Sequence, residues 1–276
     1  FGYVGSVILL VFNIIMIQNP EVFGLQDAGG ASRWAFLLVG LWWLGFAQIT
    51  FRRMPKETKV PLDSQIVKKG YAELKKVWHQ VAHMKSLKRF LASFFFYSAG
   101  VQTVLYLAST FATEELKFEA AELILVILIL QFLAIFGAYL FAYVSKLFGN
   151  KLSLLVMLSV WITICIIAYF VQGKMGFYGI ASAVGLVMGG IQSISRSTYS
   201  KLIPEGTTDT ASFFSFYDVL EKCAIVLGTF SFGFINQISG GMRNSILALV
   251  VFFVLGIILL LGVKIKTRSR EQVVEV

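Results

Sequence analysis

Charge is scarce in this chain, and acidic charge scarcer still. Only 14% of its 276 residues are charged, with 24 Lys and Arg against 15 Asp and Glu. A chain that is 57% hydrophobic, with a mean hydropathy of +0.78, has too little polar surface to cover a soluble globule. Cys165 and Cys223 each stand alone in an apolar stretch, which excludes a disulfide framework and a cysteine metal site. His79 and His83 are the only histidines, four residues apart with no third ligand in view. No Ser/His/Asp arrangement, His–Glu metal motif or Gly-rich nucleotide loop is present, so an enzyme lacks its usual parts and no cofactor or metal is implied. All four prolines (20, 55, 61 and 204) fall between apolar runs, so none interrupts one.

What the chain has is apolar length. Eight runs, approximately 1–17, 34–51, 90–112, 121–144, 152–171, 176–195, 211–235 and 245–263, are each about long enough to cross a bilayer as a helix. The basic residues lie mostly between them. Eleven of the 24 occupy residues 52–89, against Glu57, Asp63 and Glu73 alone. Counted over alternating loops, nineteen fall on one side and four (Arg33, Lys117, Lys174 and Arg243) on the other; Lys222 lies near or within a span. Moving Lys and Arg across a membrane is costly, so the side with nineteen is expected to be cytoplasmic. The same distribution explains the basic pI without a nucleic-acid partner. Within 52–89, Val67, Tyr71, Leu74, Trp78 and Val81 are spaced as one face of a helix. An amphipathic helix is expected there, on the membrane surface or against the cytoplasmic ends of the other helices.

The spans differ in polarity. Those at 152–171 and 245–263 carry few polar residues and suit a lipid-facing position. The 90–112 span places Ala99, Gln102, Thr103, Tyr106, Ser109 and Thr110 on one side, which faces either a neighbouring helix or water. Gln102 serves there as an interhelical hydrogen-bonding group or as a cavity contact. In the 211–235 span, Asp218, Glu221 and Lys222 share a face, and Asp218 and Lys222 have the i, i+4 spacing of an ion pair. They are either pathway charges or residues of the headgroup region. Gly185 and Gly189 form a GxxxG spacing that allows close helix contact.

The block Gly189-Gly-Ile-Gln-Ser-Ile-Ser-Arg-Ser-Thr-Tyr-Ser-Lys-Leu-Ile-Pro204, with Phe213-Phe-Ser-Phe-Tyr-Asp218 and Glu221-Lys222, resembles the major facilitator superfamily. Within it, the chain looks most like the branch of "unknown major facilitators" related to autophagy-associated vacuolar effluxers. Phe96-Tyr97, Gly100-Val-Gln-Thr103 and Phe148-Gly149-Asn150-Lys151 add to the likeness. The resemblance implies an all-α integral membrane protein whose eight spans are helices five to twelve of a twelve-helix transporter. Residues 1–51 would close the N-terminal bundle, 52–89 would be the basic cytoplasmic linker, 90–264 the C-terminal six-helix bundle and 265–276 a cytoplasmic tail. Three positions depart from the family pattern: Ala99 stands where Asp is usual, Lys146-Leu147 where an acidic and a basic residue are usual, and Gly228-Thr229 where Gly-Pro is common.

The implied activity is secondary transport of a small solute, such as an amino acid or similar metabolite, by alternating access in the cell (inner) membrane, in the direction of efflux. Gln102, Thr103, Tyr106, Gln131 and Gln192 are the expected cavity contacts; Asp218, Glu221, Lys222 and Arg196 are the expected coupling or gating charges. The lipid bilayer and the solute are the expected partners, with a proton as the candidate coupling ion. The alternative is a membrane scaffold that transports nothing and docks a partner through its cytoplasmic loop. On the transporter reading, the chain's true beginning lies upstream of Phe1. An immunoblot of source membranes against residues 56–88 should then detect a species larger than 30.7 kDa by about 100 or more residues, enough for four further spans of about 20 residues and their loops.

Overall fold

Long apolar runs without internal proline have one way to satisfy their backbone in lipid, and they take it as helices. The computed structural model describes residues 2–54, 66–204, 206, 207 and 209–265. Lys56, Glu57, Lys59 and Asp63 of the basic loop and the tail cations Lys266, Arg268 and Arg270 lie outside the described residues. Nine α-helices are described: α1 (Gly2–Gln18), α2 (Ala28–Arg53), α3 (Ile66–His83), α4 (Lys85–Leu116), α5 (Ala120–Phe148), α6 (Asn150–Phe170), α7 (Lys174–Leu202), α8 (Thr210–Ser239) and α9 (Met242–Leu261). Most run several residues beyond the expected spans, because the helices continue into the polar layers at either end. Six of them (α2, α4, α5, α6, α7 and α9) are long and apolar enough to cross a membrane. In α1 the apolar stretch Val4–Gln18 is shorter. At 30 residues α8 has ample length, but Asp218, Glu221, Lys222 and Asn236 dilute its apolar content.

The chain divides into two compact units, Phe1–Ile66 and Val67–Val276. In the first, α1 packs against α2 through a 3₁₀ turn, Pro20–Phe23. Gly24 ends that turn with φ 71°, a conformation open to glycine. Asp27 caps α2 by accepting a hydrogen bond from the Gly30 amide at 2.6 Å.

In the second unit, α4 packs along α8 and α9, α6 along α7 and α9, and α5 along α7. The α5–α7 contact is nearly backbone on backbone. A Cβ on Gly137 would fall 1.8 Å from the Leu186 carbonyl, and one on Gly189 would fall 2.1 Å from that of Ala134. Gly185 meets Leu130 in the same way, so the GxxxG spacing is a packing device. α6 and α9 share a stacked pair, Trp161 and Phe253, with ring centroids 5.6 Å apart. They also cap each other. Lys151, the second residue of α6, donates to the Leu261 and Val263 carbonyls at 2.7 and 2.9 Å. Arg243, the second residue of α9, donates to the Tyr169 carbonyl at 2.9 Å and to that of Val171, and pairs with Glu115 of α4 at 3.1 Å. A cation at each helix C-terminus satisfies orphan carbonyls and opposes the negative end of the helix dipole. The outer faces of both helices stay apolar and exposed, through Val156, Ile166 and Ile167 on α6 and Val251, Val254 and Ile258 on α9.

Helix α3 forms as its periodicity predicts, but its buried edge is rotated. Val77 and Val81 are buried in the core, while Val67 and Tyr71 of the expected stripe are exposed. Lys76 pairs with Asp209 at 2.8 Å, just before α8, and Trp78 lies 6.1 Å from Phe216 of α8. The Asp209 carboxylate, by hydrogen bond and by charge, and secondarily Glu73, hold the Lys76 ammonium above its ordinary value.

Gly189→Ala should lower the stability of the purified protein in detergent by about 1–3 kcal/mol, the range for overpacking against a carbonyl that cannot move aside. Gly233→Ala, which meets open space, should leave the thermal unfolding midpoint unchanged or raise it.

Candidate functional site

Polar side chains within the α3–α9 unit gather where α4, α7 and α8 meet. Helical spacing places Ser98 and Gln102 one turn apart on α4, Gln192, Ser195 and Arg196 on one side of α7, and Tyr217, Asp218 and Glu221 on one side of α8. These helices enclose a cavity of about 120 Å³ lined by Gln102, Gln192, Arg196 and Glu221 together with Tyr97, Ser98, Ser195 and Tyr217.

Two polar pairs tie these helices together. The Gln102 amide donates to Glu221 Oε1 at 2.8 Å, joining α4 to α8. Arg196 Nη2 donates to Asp218 Oδ1 at 3.0 Å, joining α7 to α8, and its guanidinium lies 5.7 Å from the Tyr217 ring centroid. Both members of that ion pair keep about half their side-chain surface exposed, 56% and 51%, so each can exchange its partner for a ligand. A third pair is buried: Tyr97 Oη and Ser195 Oγ are 2.7 Å apart. Below it an aromatic cluster closes the packing, with Phe94 stacked on Tyr217 at 4.0 Å and Tyr199 at 4.9 Å from Tyr217. Tyr199 donates to the Phe213 carbonyl at 2.7 Å, which anchors the start of α8 to α7.

The expected site residues divide by position. Gln102, Gln192, Arg196 and Glu221 line the one cavity, and Asp218 joins it through Arg196. Asp218 takes Arg196 as its partner instead of Lys222, because the guanidinium reaches across from α7 while Lys222 points outward and is exposed. Thr103 is fully buried and turned the other way: a Cβ on Gly228 would come within 2.2 Å of its hydroxyl. It borders a second cavity of about 70 Å³ whose lining is otherwise apolar, including Phe111, Cys165 and Phe232. Tyr106 is 59% exposed and Gln131 is half-buried on α5; neither lines the polar cavity. On α3, the ring Nδ1 of His83 lies 2.7 Å from the His79 carbonyl one turn back.

Tyr97, Ser98, Ser195 and Tyr217 are contributors that polarity alone did not single out. Their signal is register: Ser98 is one turn before Gln102, Ser195 one turn after Gln192, and Tyr217 is next to Asp218.

Helices arranged in this way define a class. The fold matches that of the crystallised fucose:proton symporter FucP of Escherichia coli with a TM-score of 0.59, over 87% of this chain and 56% of that one, at 16% identity. The protein is thus an all-α integral membrane protein with the major facilitator transporter fold. Residues 1–273 match the family described as vacuole effluxer Atg22 like, and the chain belongs to that family. It is 25% identical to the MFS-type transporter YxiO of Bacillus subtilis over 270 residues, 97% of this chain and 62% of that protein. It is 29% identical to autophagy-related protein 22-1 of Penicillium rubens over 301 residues, 99% of this chain and 49% of that protein. The chain therefore spans less than two thirds of the length of these relatives.

Cysteines introduced at Gln102 and Gln192 should react with a water-soluble thiol reagent at least about tenfold faster than one introduced at Leu249, which is buried beside the apolar cavity. The contrast follows from thiolate chemistry, which needs water access, and mass spectrometry of the purified protein measures it.

Proposed function

We propose that this protein acts in secondary-active export of a small polar metabolite carrying both charges, such as an amino acid, by alternating access around the α4–α7–α8 cavity. The observation that carries the reading is the composition of that cavity. It offers a guanidinium, a carboxylate and two amides, with a second carboxylate, Asp218, paired to the guanidinium, in a bundle whose α6 and α9 outer faces are apolar. Ionisable groups at membrane depth are costly and are kept where they face a pathway. Arg196 is suited to a carboxylate by its planar donor fork, and Asp218 and Glu221 are suited to an ammonium. In the Atg22-like name, efflux is said of the vacuole; here it supports only the direction proposed.

On this reading α1 and α2 close an N-terminal bundle, residues 52–89 are the cytoplasmic linker, 90–264 the C-terminal bundle and 265–276 a cytoplasmic tail, in a cell (inner) membrane. The nineteen-to-four asymmetry of basic residues supports that orientation.

Glu221 is the carboxylate proposed to carry a coupling proton. Its partner is the neutral amide of Gln102, so protonation strands no cation, whereas protonating Asp218 would leave Arg196 without its counter-charge. When Glu221 is ionised, the Gln102 bond holds α4 and α8 together; when it is protonated, that charge-assisted bond weakens and the two helices can separate. Arg196–Asp218 is proposed as the gate between α7 and α8.

The full-length protein in proteoliposomes tests this. Glu221→Gln should cut transport driven by a pH gradient about 10-fold to 100-fold, from the 1.5–3 kcal/mol of a charged hydrogen bond, while solute exchange without a gradient persists. Asp218→Asn should slow both modes. Lys222→Gln should change neither by more than about twofold, since that side chain is outside the cavity and surface substitutions cost little. Equal loss of gradient-driven and exchange transport in Glu221→Gln would remove the coupling role.

A further inference from the structure

The linker helix α3 carries an apolar edge that the bundle leaves uncovered. Val77 and Val81 seat it in the core. Beside them, Val67 is 82% exposed, Tyr71 70% and Trp78 49%. At 100° per residue these three fall within one narrow sector of the helix. Lys68 and Lys75, both exposed, border that sector on the side away from Val77 and Val81. Lys76 lies farther round, engaged with Asp209 and Glu73. Only Met84 separates α3 from α4, a span, so α3 lies at the level where α4 leaves the hydrocarbon.

An apolar edge bearing Tyr and Trp with lysines along its rim is the pattern of a helix lying in the headgroup layer. A protein partner would have to match an edge barely three residues wide, whereas a leaflet needs only the sign of the charge. We propose that α3 binds anionic phospholipids, with Val67, Tyr71 and Trp78 entering the acyl boundary and Lys68 and Lys75 on the phosphates. The contact reaches the polar cavity through α8. Lys76 holds Asp209 at 2.8 Å, and Trp78 lies 6.1 Å from Phe216, the neighbour of Tyr217. A leaflet that fixes α3 thereby fixes the start of the helix carrying Asp218 and Glu221, which makes anionic lipid a regulator of that helix. The binding itself rests on the membrane-spanning fold and not on the transport reading.

The test uses the full chain in nanodiscs, with Cys165→Ala and Cys223→Ser removing the native thiols and an environment-sensitive fluorophore on Tyr71→Cys. Phosphatidylcholine discs are compared with discs also containing phosphatidylglycerol. The expected result is a blue-shifted emission that appears with phosphatidylglycerol and is largely lost in Lys68→Gln/Lys75→Gln. At about 1 kcal/mol per lysine near an anionic surface, the pair accounts for roughly a 30-fold weaker association. The same label on Ala72→Cys, outside the apolar sector, should report water in both discs. Emission from position 71 that reports water in both lipids would overturn the proposal. So would an apolar environment indifferent to lipid charge and to the two lysines, which would mean that a protein segment covers the edge. No transport is measured, so the result stands apart from the fate of the proposed activity.

Discussion

Helices that share a bilayer gain little by hiding apolar side chains from one another, because lipid is as apolar as leucine. Close van der Waals approach and internal satisfaction of polar groups must hold them instead. The α5–α7 contact is the first kind: Gly137, Gly185 and Gly189 remove every Cβ that would keep two backbones apart. The reciprocal caps of α6 and α9 are the second kind. Each helix ends on carbonyls that have no partner within the helix, and the second residue of the other supplies a cation to meet them. Because the two helices run in opposite directions, one arrangement closes both ends of the pair.

Those two devices leave α4, α7 and α8 to bring polar side chains together. Small residues permit it, since Gly228 lets α8 approach Ala99 and Thr103 of α4. Within that frame the polar groups sort by partner. Gln102 with Glu221 and Arg196 with Asp218 each tie one helix to α8, and of these four only Asp218 stands outside the cavity lining. α8 is therefore the helix on which the two interactions converge, and its start is held independently by Tyr199 and by Lys76 of α3. A movement of α8 would be felt at all four places.

Much of this was legible in the chain itself. Eight apolar runs, a basic loop and the segregation of polar residues onto 90–112 and 211–235 identified the fold class and two of the three helices that build the cavity. The GxxxG pair was readable because glycine spacing is a local property. Partner choice was not. Asp218 and Lys222 satisfy the one-turn rule, yet Asp218 bonds to a residue of another helix. Thr103 and Tyr106 belong to the polar side by composition, but one is packed against Gly228 and the other is exposed. On α3, five apolar positions follow one period, and only the seating of Val77 and Val81 reveals which edge the bundle takes.

By itself the sequence determined which segments are helices in a membrane and where its polar residues concentrate, since apolar length, glycine spacing and charge distribution act along the chain. Only the tertiary structure decided which of those polar residues meet. A helical face spans several residues, and its contacts are chosen by the rotation and approach of neighbouring helices, which small residues elsewhere control.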